Sequence, residues 1–118
     1  MKIAATFGFE AAHRLPNLPD GHKCKNLHGH NYQLEVAIEG GELDERGFVI
    51  DYAELEAAVD PLIKEVDHKF LNDVHGLENP TSEVMVQWFM AGIKAYLPNY
   101  TITLRLYETP RYWVEHTA

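Results

Sequence analysis

Residues 28–39, HGHNYQLEVAIE, set His28, His30, Tyr32, Leu34, Val36 and Ile38 on one side and mainly polar residues on the other. This period-two alternation is that of a half-buried β-strand. It commits the chain to a sheet with one face covered, and it sends two imidazoles to the covered side. The segment KIAATFGFEAAH repeats the pattern with Ile3, Ala5, Phe7, Phe9 and Ala11, and His13 continues the phase. TITLRLYE does so again, with Ile102, Leu104, Leu106 and Glu108 in line, and RYWVEH reads as a closing strand.

Between these strands lie two helical patterns. Asp51 followed by Glu54 resembles a capping box, opening a helix with Leu55, Ala58, Val59, Leu62, Ile63 and Val66 on its apolar face and an expected kink at Pro61. The second runs through VMVQWFMAGIKAY, capped by Thr81 or Ser82, with a stripe through Val84, Trp88, Ala91 and Ala95 and a stop at Pro98. A short FVID run at 48–51 reads as one more strand after the turn GGELDERG. Strands grouped before and after two consecutive helices predict an α+β architecture, an antiparallel sheet with helices on one face. The 118 residues are expected to form one domain spanning 1–118.

Composition excludes several functions. A formal charge of −8 disfavours general binding to nucleic acid or an anionic membrane, which both require a cationic surface. The opening MKIAATFGFEAAH meets Glu10 and His13 before a signal or spanning segment can develop, so the cytoplasm is the default location. One cysteine, Cys24, cannot form an intramolecular disulfide. Charge is nonetheless uneven: HRLPNLPDGHKCK carries Arg14, Lys23 and Lys25 against only Asp20, enough to attract a small anion.

Histidines two apart on a strand share a face at about 6–7 Å between Cα atoms, which lets both imidazoles reach one ion. His28 and His30 are therefore candidate ligands, and His13 or His22 would supply a third; a strand end holds a ligand more rigidly than a loop, favouring His13. Three neutral histidines leave an open position, as in catalytic zinc sites. Cys24 either closes that position or, flanked by Lys23 and Lys25, serves as a base or nucleophile. Asp67 and His68 are adjacent in sequence, which by itself establishes no dyad. Glu108, on the apolar phase, requires donors or a cation. Thr81, Ser82 and Glu83 are sufficiently explained as a helix start.

The motifs FEAAHRLP, GHKCKNLHGHNY, VIDYAELE, VDHKFLND, NPTSE and LYET, in this order, resemble the 6-pyruvoyltetrahydropterin synthase family from Phe9 to Thr109. The spacing C-x-x-x-H-G-H is most similar to its bacterial branch, the 6-carboxytetrahydropterin synthases. The resemblance implies a tunnelling fold, a four-stranded antiparallel sheet with two helices on one face. Its subunits join edge to edge into barrels, commonly a homohexamer built as a dimer of trimers. It implies one zinc ion per subunit on His13, His28 and His30, a cysteine base at Cys24, an Asp67–His68 pair and a pterin-anchoring carboxylate at Glu108. The hydroxyls of Thr81 and Ser82 would help hold the pterin.

The reaction implied is a lyase reaction on 7,8-dihydroneopterin triphosphate, giving 6-carboxytetrahydropterin, acetaldehyde and triphosphate on the way to 7-deazapurines such as queuosine. Arg14, Lys23 and Lys25 are the triphosphate contacts that charge suggests. The competing expectations are pyruvoyl formation without side-chain cleavage, a zinc hydrolase using bound hydroxide, and a non-enzymatic pterin-binding protein.

Overall fold

A computed structural model describes all of residues 1–118. Its elements, in chain order, are β1 (Lys2–His13), β2 (His28–Glu39), α1 (Tyr52–Val66), α2 (Ser82–Tyr96), β3 (Thr101–Tyr107) and β4 (Trp113–Thr117), with short 3-10 turns at Lys23–Lys25 and Leu71–Asp73. The four strands form one antiparallel sheet in the order β1-β2-β3-β4. No helix is long and apolar enough to cross a membrane.

Alternation decides which face is covered. Phe9, Ala11, Leu34, Val36, Ile38, Ile102, Leu104 and Leu106 are buried, and they join Leu55, Val59, Phe89, Met90 and Ile93 from the helices in one core. Of the residues on the opposite face, Thr6, Gln33 and Thr101 are exposed, while Glu35, Ala37, Thr103 and Arg105 in the middle of the sheet are half-buried. Both helices thus lie on one side of the sheet. β1 and β2 pair along their whole length, from Lys2 opposite Glu39 to His13 opposite His28, whereas β3 joins β2 only from Gln33 onward. The histidine end is therefore a two-stranded ribbon that runs on past β3.

α1 starts where expected: the Asp51 side chain accepts from the Ala53 amide. The helix continues across Pro61 as one element, with Leu55, Ala58, Val59 and Val66 buried and Leu62 and Ile63 packed at the core margin. Thr81, rather than Ser82, caps α2 by accepting from the Val84 amide.

Two sequence expectations are corrected. The buried face of α2 is Met85, Val86, Phe89, Met90 and Ile93, while Ala91 and Ala95 are exposed and Val84 and Trp88 only half-buried. Apolar residues occur all round this helix, and the face carrying the larger side chains removes more area from water. FVID forms no strand. Ile50 enters the core, but the preceding loop is closed on itself: the Asp44 amide donates to the Phe48 carbonyl, the Gly47 amide donates to the Asp44 carbonyl, and the Asp44 carboxylate accepts from the Arg46 and Phe48 amides.

Leu104 is fully buried in a strand with neighbours on both edges. Leu104→Ala is expected to lower the unfolding free energy by about 2–5 kcal/mol, and loss of the Asp51 cap in Asp51→Ala by about 1 kcal/mol. Urea unfolding checks both, as lower midpoints at unchanged m.

Candidate metal centre

His13 ends β1 and His28 begins β2, directly opposite each other in the antiparallel register. His30 follows two residues later on the same face. Their convergence is a product of strand phase and register together, and one nitrogen from each ring lies within 4.8 Å of the others. His13 is almost wholly buried, and the other two are half-buried.

The hydrogen bonds around the rings set their tautomers. His13 Nδ1 lies 3.0 Å from the Pro80 carbonyl and His28 Nδ1 lies 2.7 Å from the Asn26 carbonyl. A carbonyl only accepts, so each Nδ1 of a neutral ring carries the proton and each Nε2 presents a bare lone pair. Those two Nε2 atoms face each other at 3.0 Å. His30 Nε2 is buried and makes no hydrogen bond of good geometry, its charged neighbour being a Glu108 carboxylate oxygen at 3.3 Å. Two opposed lone pairs beside a third nitrogen without a well-formed hydrogen bond are a poor arrangement for a protein alone and, with a carboxylate next to them, a suitable one for a cation. Nitrogens bound tetrahedrally to one zinc at about 2.0–2.1 Å stand about 3.3 Å apart, close to the spacing of the first pair. The donor set is all imidazole, which suits zinc and other first-row divalent ions.

Burial, reinforced by the neighbouring imidazoles, pulls His13 and His30 below the ordinary histidine pKa, while the Pro80 carbonyl opposes this at His13 and Glu108 at His30. The neutral, ligating form is thereby favoured. Tyr32 lies beneath the cluster, stacked on Phe9 at 4.8 Å with its hydroxyl 3.3 Å from His13 Nδ1, and burial pushes its phenol upward.

Glu108 follows β3 and lies one step beyond the Gln33–Tyr107 pair, which aims it to the same face. One carboxylate oxygen is 3.3 Å from His30 Nε2 and the other accepts from Ser82 Oγ at 3.2 Å. Pro110 falls in the β3–β4 hairpin, closed by the Glu108 amide on the Tyr112 carbonyl and by Thr109 Oγ1 accepting from the Arg111 and Tyr112 amides. Beside Glu108 opens a hollow of 390 Å³ lined by Leu15, Thr81, Ser82, Glu83, Arg111 and Tyr112 among others. Glu83, read from sequence only as a helix-start charge, thus shares a hollow with Glu108. Arg111 and Tyr112 were missed, since a hairpin tip carries no periodic signal.

The remaining candidates lie elsewhere. Cys24 is half-buried; its carbonyl accepts from Leu15, which lines that hollow, and its amide donates to His22 Nδ1. His22 therefore caps a turn and stands outside the cluster. Lys25 is paired with Asp20, and Arg14 and Lys23 are exposed. Asp67 and His68 do form a pair, Oδ1 to Nδ1 at 2.9 Å. His68 sits in the left-handed region (φ 57°), pinned by its amide on the Glu10 carbonyl, and the Glu10 amide followed by His68 holds the Asp67 carboxyl below the usual carboxylate range. His68 lines a hollow of 580 Å³ with Glu10, Ala12, Gly29 and Asn31 from the solvent-facing side of the strand pair, and His30 borders it too. The His68 ring nonetheless turns to the Glu10 carboxylate, 3.7 Å from its Nε2, and takes no part in the convergence of His13, His28 and His30.

The chain is 44% identical over 97 residues to the 6-carboxy-5,6,7,8-tetrahydropterin synthase of Synechocystis, covering 78% of this chain and 74% of that protein. It is 38% identical over 97 residues to the dihydroneopterin monophosphate aldolase of Pyrococcus furiosus, covering 82% and 78%. The solved 6-pyruvoyl tetrahydropterin synthase of Caenorhabditis elegans superposes with a TM-score of 0.86 at 30% identity, over 100% of this chain and 95% of that one. The four-stranded sheet with its two helices is therefore the tunnelling fold. Residues 2–118 match the family described as 6-pyruvoyl tetrahydropterin synthase, and the chain belongs to that family.

Proposed function

We propose that this protein is a zinc-dependent 6-carboxytetrahydropterin synthase, converting 7,8-dihydroneopterin triphosphate and water to 6-carboxytetrahydropterin, acetaldehyde and triphosphate in a route to 7-deazapurines. The observation that carries the reading is the juxtaposition of three converging imidazoles with Glu108 and its hollow, in a chain similar to a protein of that name. His13, His28 and His30 would hold the metal. Bound there, zinc would supply Lewis-acid polarisation of the oxygens on the substrate side chain.

The chain's own groups account for binding and proton movement. The pterin edge presents adjacent N–H donors, which a carboxylate accepts in bidentate fashion. Glu108, steadied by the Ser82 hydroxyl, and Glu83 at the same hollow are the carboxylates available. Thr81, whose hydroxyl caps α2, lines the same hollow and would help hold the pterin. Cys24 would remove a proton as its thiolate and His68, oriented by Asp67, would shuttle another. Arg14, Lys23 and Lys25 remain the cations proposed for the triphosphate.

Because the His68 ring is turned to Asp67 and Glu10 rather than joining the histidine cluster of its own chain, a second copy would supply it, which favours a barrel-forming homohexamer over a lone chain. Mixing inactive Cys24→Ala with inactive His68→Ala protein under subunit exchange should therefore restore part of the activity. Two variants that stay silent when mixed would place both groups in one chain's site.

Product analysis tests the reaction. Acetaldehyde should appear in equal amount with triphosphate; triphosphate without any aldehyde would indicate pyruvoyl formation, and a different aldehyde an aldolase reaction. Absence of any product in a single-turnover incubation would leave a pterin-binding protein.

The metal assignment has its own measurements. Purified protein should take up one zinc per chain, and His28→Ala should lose it while keeping the fold, read by metal analysis and circular dichroism. Cys24→Ala should keep the zinc and lose turnover. The lowered histidine pKa values carry a sign: the unfolded chain binds protons at these rings more readily than the folded one near 6.5. The metal-free protein should thus lose stability as pH falls through about 6.5, and zinc loading should deepen the pH dependence because protons compete for the ligands. Denaturant midpoints from pH 5 to 8 check this.

A further inference from the structure

Asn72 belongs to the VDHKFLND motif, and the proposed chemistry gives it no task. Its side chain nevertheless makes three hydrogen bonds, all to backbone. Oδ1 accepts from the Arg14 amide at 3.0 Å, and Nδ2 donates to the Arg14 carbonyl at 2.8 Å and to the Glu78 carbonyl at 3.3 Å. The amide orientation follows from these neighbours: reversing it would set the NH2 against an N–H and the oxygen against two carbonyls.

The two backbone segments so joined are those that fix His13. β1 ends at His13, so Arg14 is the first residue beyond the pairing of β1 with β2. Glu78 lies two residues before Pro80, whose carbonyl accepts from His13 Nδ1. Asn72 thus pairs with Arg14 as a neighbouring strand would, donating and accepting at one residue, and ties the Pro80 segment to the same point. The parallel bridge between Ala12 and Phe70, with the Ala12 amide donating to the Lys69 carbonyl at 3.0 Å, brings the 3-10 turn carrying Asn72 to that edge.

We infer that Asn72 is a positioning residue for the metal centre: by clamping Arg14 to Glu78 it holds His13 and the Pro80 carbonyl in the register that keeps Nδ1–H bonded and Nε2 free to ligate. This rests on the reading of His13, His28 and His30 as metal ligands. An aspartate could accept from the Arg14 amide but not donate to either carbonyl, and a serine would be too short to span both segments.

Asn72→Asp and Asn72→Ala, each loaded with Zn2+ and with Co2+, test the inference. Zinc dissociation constants from chelator competition should rise about 10-fold in both variants, as loss of support behind a ligand does. The d–d spectrum of the cobalt form should change in shape, and ring 15N shifts of the metal-free protein should show His13 no longer fixed as the Nδ1–H tautomer. Wild-type zinc affinity together with an unchanged cobalt spectrum in the variants would overturn it. Complete unfolding of both would also overturn it, since Asn72 would then serve the whole fold rather than the ligand. Failure of the wild-type protein to bind zinc at all would instead reject the metal reading, and the two failures are distinguishable.

Discussion

The structure depends on one pairing, His13 opposite His28 at the end of the β1–β2 ribbon. Antiparallel register brings the ends of two long strands together, and pleat phase turns His13, His28 and His30 to the covered face. There the carbonyls of Asn26 and Pro80 take the Nδ1 protons and leave the Nε2 lone pairs pointing at a common volume. Burying unpaired nitrogens is costly unless something cationic satisfies them. The rest of the chain around the site can be understood as what holds those rings in that costly arrangement.

Several supports are peripheral to the imidazoles. The NPTSE segment contributes a carbonyl to His13 from Pro80, a cap to α2 from Thr81 and a hydroxyl to Glu108 from Ser82. One short turn therefore connects the histidine cluster, a helix start and the carboxylate beside the hollow. Rigid secondary structure on either side of such a turn is what keeps a site within the tolerance that ligation needs.

Much of this was legible in the residues. Period-two alternation identified β1, β2 and β3 and placed His13, His28, His30 and Glu108 on the covered face, because a side chain's face in a strand depends only on its parity. Capping chemistry marked Asp51 and left Thr81 or Ser82 for the second helix, where the structure chose Thr81. Where the pattern was degenerate the reading slipped: α2 is apolar all round, so the choice between Val84-Trp88 and Met85-Phe89 rested on packing against the sheet. FVID has strand composition, yet it pairs with no strand, and the loop before it closes on itself through the Asp44 amide on the Phe48 carbonyl. Arg111, Tyr112 and Asn72 carried no periodic or motif-independent signal, since their neighbours come from distant parts of the chain.

The sequence by itself determined strand parity, the helix starts and the set of donor side chains, since these follow from local geometry and residue chemistry. Only the tertiary structure decided which donors meet. The choice between His13 and His22 depended on register, because His13 falls opposite His28 whereas His22 spends its ring nitrogen on the Cys24 amide. That Asp67–His68 stands outside the histidine cluster depended on the chain's route along the β1 edge, which pins the His68 amide on the Glu10 carbonyl and turns its ring to the Glu10 side chain. Contacts between residues far apart in sequence are products of packing, and adjacency in the chain carries no information about which face of a sheet a loop will reach.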